Sequence, residues 1–314
     1  MSDIQKCAIV GAGFVGSTCA YTLATSGLFS ELVLIDMNEK KARGEADDIS
    51  HGISFAQPCR VTAGDYPDIA DCGLVIIAAG ANQKPGETRI DLLNRNRAIL
   101  SSILDSILSV NRDCILLIVS NPVDVLTYMA QKLSGLPPQR VIGSGTVLDT
   151  ARLKYLLGQR LHVDSRNVHA FIIGEHGDSE LPVWSSANIS GVDLPDYCRA
   201  TGQMLQPDTL DSVHREVRDA AYSIIEGKGA TYYGIGMAVL RIARAIVRDE
   251  HSVLPVSSLV TGHYGVSEVC LGLPTVVGRN GAEAVLDIPL SYEEKRRLLT
   301  SAGKLRGLLD EMHI

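Results

Sequence analysis

Short, continuous apolar runs alternate with longer mixed stretches along the first half of the chain. Continuous runs are typical of strands that are buried on both faces of a parallel sheet. Strands are predicted at residues 4–10, 31–35, 59–63, 74–79, 114–119 and 140–143, with helices at 17–26, 39–50, 88–110 and 123–133. Regular strand–helix alternation predicts an α/β fold with a doubly wound parallel sheet of the Rossmann type.

The second half of the chain is less regular. A helix is predicted to begin within residues 143–152, and further helices are predicted at 209–226, 237–249 and 292–312. Strands are predicted at 168–173, 253–260, 269–273 and 284–288. We therefore expect a first domain at residues 1–145 and a mixed α/β second domain at residues 146–314.

A glycine motif links the first predicted strand to the first predicted helix. Gly11 permits a tight turn, Gly13 lets backbone approach a pyrophosphate, and Gly16 lets the helix pack closely on the strand. The second strand ends at Asp36, whose carboxylate suits a ribose diol and would repel a 2′-phosphate. The motif favours NAD over NADP, whereas the alternative for Asp36 is a solvated residue at a strand end.

Composition narrows the functional classes. The chain has 314 residues, 46% of them hydrophobic, and a net charge of −7. This negative charge argues against general affinity for nucleic acid or for anionic membranes. The seven cysteines are odd in number and lack C-x-x-C spacing, so reduced residues in a cytoplasmic protein are expected. No apolar run approaches a bilayer span, and no metal-ligand set stands out.

Candidate chemistry is concentrated at a few positions. His176 follows a predicted strand and lies between glycines, where an imidazole can give and take a proton. Asp149 and Arg152 are three residues apart on a predicted helix, so they share a face. A functional interpretation gives Asp149 to a histidine and Arg152 to an anionic ligand; the alternative is a surface ion pair. Asn121 lies at a strand end, and residues 80–89 form a candidate flap over a substrate.

These motifs resemble the lactate/malate dehydrogenase family, and within it the bacterial L-lactate dehydrogenase branch. The matching segments are GAGFVG, the strand end at Asp36, GANQKPGETR, SNPVD, GSGTVLDTAR, GEHGDSE and GATYYGIG. They occur in family order over nearly the whole chain. The resemblance implies NAD as cofactor, pyruvate and L-lactate as substrates, and a homotetramer.

The resemblance also implies roles for individual residues. His176 would exchange the proton, Asp149 would hold its imidazole, and Arg89 would polarise the substrate carbonyl. The implied substrate-binding residues are Gln83, Arg89, Asn121, Arg152 and Thr231. The implied cofactor-binding residues are Gly11, Gly13, Val15, Gly16, Asp36, Lys41, Tyr66, Gly80, Ala81, Ser102, Val119, Asn121, Ser144 and Ile235.

Gln83 separates the two branches of the family. The malate branch carries an arginine at this position, which meets the second carboxylate of oxaloacetate. Gln83 is neutral, so oxaloacetate would bury a charge without a partner, at a cost of several kcal/mol. Gln83 and Thr231 therefore favour pyruvate over oxaloacetate.

A second, allosteric site is also implied. Bacterial relatives that fructose 1,6-bisphosphate activates carry an arginine and a histidine at the positions of Lys154 and His169. Lys154 keeps the charge but lacks the bidentate fork of arginine. His169 could equally be a strand residue at a subunit contact.

Two other classes of protein remain as alternatives. One is a non-catalytic NAD(H)-binding protein, which the presence of His176, Asp149 and Arg152 disfavours. The other is a hydrolytic metal site formed by Glu175, His176, Asp178 and Glu180, which lacks the usual helical ligand spacing.

Overall fold

The computed structural model describes residues 4–81, 89–203 and 207–313, apart from the side chains of Arg89 and Pro207. The strands are β1 Lys6–Val10, β2 Glu31–Ile35, β3 Arg60–Ala63, β4 Leu74–Ile77, β5 Ile115–Ile118, β6 Val141–Gly143, β7 Val168–His169, β8 Ile172–Ile173, β9 Leu181–Pro182, β10 Asn188–Ile189, β11 Val192–Asp193, β12 Ser252–Leu254, β13 Ser257–Thr261, β14 Ser267–Gly272, β15 Thr275–Gly278 and β16 Gly281–Val285. The helices are α1 Phe14–Ser26, α2 Glu39–Gly52, α3 Arg89–Val110, α4 Val123–Ser134, α5 Val147–Arg160, α6 Leu194–Thr201, α7 Pro207–Lys228, α8 Tyr233–Val247 and α9 Tyr292–Glu311.

A large sheet has the strand order β14-β13-β6-β5-β4-β1-β2-β3. Strands β1 to β6 are parallel to one another, and β4 and β5 are buried along their whole length. The predicted parallel sheet is therefore confirmed. The antiparallel hairpin β13–β14 extends it, because Ser257 on β13 pairs with Gly143 on β6. The sheet thus includes strands from both sides of residue 145.

The strand order creates a crevice between β1 and β4. From β1 the sheet continues through β2 and β3 in one direction, and from β4 through β5 and β6 in the other. Such a reversal leaves a crevice at the carboxyl ends of the two central strands, where ligands of this fold class bind. A Cβ atom on Gly11 would lie 2.5 Å from the backbone nitrogen of Ala79, so the two strand ends are in close contact.

Several predictions for the second half are wrong. The predicted strand 168–173 is two short strands, because β7 pairs with β10 whereas β8 pairs with β9. The predicted strand 253–260 is divided into β12 and β13 around Pro255, which has no N–H group for a sheet hydrogen bond. The last predicted strand, 284–288, lies earlier as β16, and β15 and α6 were not predicted.

The cysteines are core residues. All seven, each within the described ranges, are free thiols, and six are buried while Cys59 is partly buried. The prediction that they are unpaired is confirmed. Among the described helices, none combines the length and apolar character that crossing a bilayer would require.

Candidate active site

Helix α5 carries a buried ion pair. Asp149 lies in its first turn with 1% of its surface exposed, and Arg152 follows three residues later. Arg152 Nη1 donates a hydrogen bond of 2.8 Å to Asp149 Oδ1. The side chains are 15% and 2% exposed, so this pair is not the solvated surface contact considered above. A buried carboxylate of this kind needs further partners.

The second partner of Asp149 is His176. Its ring Nδ1 lies 2.5 Å from Asp149 Oδ2, and its backbone N–H donates to Asp124 Oδ2 at 2.7 Å. The chain reaches this point from β8 through Gly174, whose φ of 92° favours glycine. Helix α5 thus holds the ring of His176, and helix α4 holds its backbone.

The ring of His176 remains accessible on one side. A quarter of its side chain, 25%, is exposed. Because Nδ1 faces Asp149, Nε2 is the nitrogen left to meet a ligand. The arrangement resembles other imidazole–carboxylate pairs, in which the carboxylate orients the ring and stabilises its protonated form.

The pair changes the acidity of both groups. Burial alone would lower the pKa of His176, but the charge and hydrogen bond of Asp149 raise it to about 9. Burial alone would raise the pKa of Asp149, but His176 and Arg152 hold it below its usual range. At neutral pH the site therefore contains an imidazolium ion beside a carboxylate.

Two further carboxyl groups lie at this site, and sequence reasoning gave neither of them this role. Asp124 is buried, and burial raises its pKa to about 6 although it accepts the backbone N–H of His176. Glu180 is 3% exposed, and one of its carboxylate oxygens lies within 4.8 Å of a carboxylate oxygen of Asp149 and of a ring nitrogen of His176. The only sequence signals were the aspartate in SNPVD and the last glutamate in GEHGDSE.

The structure gathers a different set of residues from the metal-site alternative. Glu175 accepts a hydrogen bond from Ser179, and Asp178 accepts one from Tyr222 at 3.2 Å. Asp149, which was not part of that alternative, lies beside His176 instead. Both Asp149 oxygens already have a cationic or imidazole partner, which favours a proton-transfer site over a metal site.

The glycine motif has the geometry that a pyrophosphate requires. Gly11 has a φ of 102°, and a Cβ atom on Gly16 would lie 1.7 Å from the Gly11 oxygen. Gly13 is the N-cap residue just before α1 and provides no side-chain cap, and a Cβ there would have no neighbour within 4 Å among the described residues. Uncapped N–H groups beside open space suit the phosphates of a dinucleotide.

Asp36 is attached to this glycine loop. Its Oδ2 accepts the backbone N–H of Ala12 at 2.8 Å, and its Oδ1 accepts that of Asn38 at 2.9 Å. It is partly buried, unlike the freely solvated residue of the alternative interpretation. Its carboxylate therefore has a fixed position beside the crevice, as a ribose-binding role requires.

Half of the other predicted cofactor residues follow parallel strands. Gly80 and Ala81 come after β4, Val119 and Asn121 after β5, and Ser144 after β6. Because these strands are parallel, their carboxyl ends share one edge of the sheet. Val15 and Ile235 lie in the first turns of α1 and α8, Tyr66 in a short 3₁₀ helix, and Lys41 and Ser102 are exposed on α2 and α3.

The remaining predicted residues are less fully defined. Gln83 lies outside the described residues, as does the side chain of Arg89. Thr231 is partly buried just before α8, and the Asn121–Pro122 peptide bond is cis. Lys154 is partly buried on α5, whereas His169 is exposed on β7. Their binding roles stay predictions.

Comparison with known proteins relates this geometry to a family. Residues 5–143 match the lactate/malate dehydrogenase NAD-binding domain, and residues 146–313 match the family's α/β C-terminal domain. L-lactate dehydrogenase from Acetivibrio thermocellus is 54% identical over 311 residues, which are 99% of this chain and 98% of that protein. L-lactate dehydrogenase from Thermoanaerobacter pseudethanolicus is 52% identical over 311 residues, which are 99% of this chain and 100% of that protein.

Solved structures agree with the sequence relatives. The minor L-lactate dehydrogenase from Enterococcus mundtii, in a ligand-bound form, has a TM-score of 0.96 at 41% identity and covers 99% of both chains. A lactate dehydrogenase from a Medee basin deep-sea metagenome library has a TM-score of 0.96 at 48% identity, again over 99% of both chains. The chain therefore belongs to the lactate/malate dehydrogenase family of NAD-dependent oxidoreductases.

Proposed function

We propose that this protein is an L-lactate dehydrogenase, which interconverts pyruvate and L-lactate with His176 as proton donor and acceptor. One observation carries the proposal: Asp149 holds the His176 ring at 2.5 Å with one oxygen and the Arg152 guanidinium at 2.8 Å with the other. An acid–base group and an anion-binding group are thus fixed side by side. The relatives described above carry the same activity in their names.

The proton moves at His176 Nε2. In the direction of pyruvate reduction, the imidazolium donates this proton to the carbonyl oxygen of the keto acid while negative charge develops there. Asp149 stabilises the imidazolium until that moment, since it raises the pKa of His176 to about 9. NADH, when bound, supplies the hydride that reaches the carbonyl carbon. In the reverse direction, neutral His176 accepts the hydroxyl proton of lactate.

Arg152 would bind the substrate carboxylate. Only one of its N–H groups bonds to Asp149 in the described part of the chain, which leaves others for a bidentate contact. Its side chain is 15% exposed, so the contact would be shielded from water. Arg89 would stabilise charge on the carbonyl oxygen and Asn121 would bond substrate, while Thr231 and Gln83 would border its methyl group.

The crevice between β1 and β4 fits NAD. The glycine loop, the open space at Gly13 and the fixed carboxylate of Asp36 would hold the pyrophosphate and the ribose. The proposal also includes the division of the chain at residues 145 and 146 into cofactor and substrate domains. It further includes a homotetramer in the cytoplasm, as the family resemblance implies.

Fructose 1,6-bisphosphate activation is a finer part of the proposal. Lys154 is partly buried, and burial together with the nearby charge of Arg241 lowers its pKa. Arg241 is itself paired with Glu250 at 2.7 Å, so a phosphate would chiefly stabilise the charged form of Lys154. His169 is exposed and would provide a further contact.

A comparison of substrates tests the proposal. With NADH, kcat/KM should be higher for pyruvate than for oxaloacetate by at least ~10²-fold, because oxaloacetate brings an unpaired charge into the site. His176→Gln should lose nearly all pyruvate turnover while it still binds NADH. Preference for oxaloacetate would instead support a malate dehydrogenase. Full pyruvate turnover by His176→Gln would contradict the proton-transfer role.

A further inference from the structure

Glu180 is a buried carboxyl group that the proposed mechanism does not use. It follows the His176 loop immediately before β9, and 3% of its surface is exposed. Its Oε1 is buried and has no hydrogen-bond partner among the residues that the structure describes. A buried polar atom without a partner costs free energy, so its retention needs a physical reason.

Charged groups from three helices and the preceding loop surround Glu180. One carboxylate oxygen of Glu180, one of Asp149 and a ring nitrogen of His176 all lie within 4.8 Å of one another. Arg297 on α9 donates to its backbone oxygen at 3.4 Å. Among the described residues, the charged or titratable groups around it are Asp149 and Arg152 on α5, His176 in the preceding loop, His214 and Arg218 on α7, and Arg297 on α9.

These neighbours shift the pKa of Glu180 in opposite directions. Burial, followed by the negative charge of Asp149, raises the pKa of Glu180 to about 8, although His176, Arg152 and Arg218 act in the opposite direction. Glu180 is therefore largely neutral at neutral pH. It ionises in the same pH range in which His176 would release its proton, and each group favours the charged form of the other.

We propose that Glu180 is a positioning residue that acts through the His176–Asp149 pair, so that the charge on its carboxyl group controls how firmly His176 retains its proton. At alkaline pH a second negative charge forms beside the imidazolium and delays deprotonation. The enzyme thus keeps its proton donor over a wider pH range than Asp149 alone would give. The proposal rests on the role of His176 in the proposed function.

The test is the pH dependence of pyruvate reduction in Glu180→Gln. The amide keeps the size of the side chain but cannot ionise. The alkaline limb of kcat/KM should move to lower pH by roughly 0.5–1 unit, as a screened charge at this separation would produce. Glu180→Asp restores an ionisable group, so its alkaline limb should lie between those of the wild type and Glu180→Gln. Glu293→Gln, which changes an exposed glutamate paired with Arg296, should leave the limb in place.

The measured quantity is the pH at which kcat/KM begins to fall, and not its maximum value. A purely structural role of Glu180 would lower the maximum without changing that pH. A limb that coincides with wild type in Glu180→Gln would overturn the proposal. If this variant does not fold, the carbon-13 signal of His176 in the wild-type protein provides the test. It should titrate in two steps or over a broadened range, and a single-site curve would overturn the proposal.

Failure of this proposal differs from failure of the proposed function. If His176→Gln loses turnover and Glu180→Gln keeps the wild-type alkaline limb, only the proposed role of Glu180 is contradicted. If His176→Gln retains turnover, the proton-transfer role of His176 is contradicted, regardless of the pH profile of Glu180→Gln.

Discussion

The substitution Asp149→Asn removes the charge that stabilises His176 while it keeps the shape of the side chain. The amide oxygen can still accept the hydrogen bond that Arg152 now donates to Asp149 Oδ1. The other end of the side chain no longer provides a negative charge at 2.5 Å from His176 Nδ1. The variant therefore isolates the electrostatic effect of Asp149 on the imidazole.

The size of the effect follows from the pKa of His176. Its rise from 6.5 to about 9 is attributable mainly to Asp149, since burial works against it. One pKa unit corresponds to ~1.36 kcal/mol, and partial exposure of the ring reduces the total, so the carboxylate contributes about 2–3 kcal/mol. Above pH ~9, where both proteins have mostly lost this proton, kcat/KM for pyruvate should therefore fall by roughly 30- to 150-fold, and the fall at neutral pH should be smaller.

The assay is steady-state pyruvate reduction followed by NADH absorbance over a range of pH. Wild-type kcat/KM should decrease as pH rises through about 9, where His176 loses its proton. In Asp149→Asn this decrease should occur roughly 1.5–2 pH units lower, because the burial of His176 no longer has an opposing charge. Asp164→Asn is the matched control, since Asp164 also pairs with an arginine, Arg166, but in an exposed position. NADH binding, measured separately, establishes that each variant is folded.

One result would refute this reasoning. If Asp149→Asn retained an alkaline limb at the wild-type pH, the carboxylate would not set the proton affinity of His176. A uniform loss of activity at all pH values, with an unmoved limb, would reduce Asp149 to an orienting role.

Four further expectations are open to direct measurement. Gln83→Arg should shift the ratio of kcat/KM values toward oxaloacetate by at least ~10-fold, since it supplies a charge for the second carboxylate; an unchanged ratio would remove Gln83 from specificity. Fructose 1,6-bisphosphate should raise activity at low pyruvate, and Lys154→Gln should abolish that response; equal rates with and without it in wild type would contradict the effector role. Asp36→Ser should narrow the preference for NADH over NADPH by ~10-fold or more, because the repelling carboxylate is gone; unchanged KM values for both cofactors would argue against it. Glu180→Gln should raise Tm relative to wild type, and the gain should grow between pH ~5 and 8. In wild type the unfolded carboxyl releases its proton at lower pH than the folded one, so wild-type stability falls across that range. A gain that did not vary with pH would contradict this.

The local pattern of apolar and glycine residues was sufficient to predict the strands and the glycine turn in the first half of the molecule. Strands buried on both faces require continuous apolar runs, so β1, β2, β4 and β5 could be predicted within two residues at either end. The glycine spacing could also be interpreted directly, because the positive φ of Gly11 and the absent Cβ of Gly16 are properties of single residues.

The local pattern of apolar residues was insufficient where pairing with a distant strand decides whether a segment forms a strand. The run at 168–173 looks like one strand, yet Val168 and Ile172 contribute to different small sheets. Strands of two or three residues have little periodicity of their own, so their existence depends on partners distant in sequence. β13 is longer, but its place in the large sheet also depends on a distant partner, because Ser257 pairs with Gly143.

The sequence by itself determined which residue types were available: an imidazole between glycines, an aspartate and arginine on one helix face, and a glycine-rich turn after a buried strand. Only the tertiary structure decided that Asp149 has two partners at once, that Asp124 binds the backbone of His176, and that Glu180 lies beside both. The reason is physical, because burial and proximity across elements set the charge states of these groups, and neither can be read from positions along a chain.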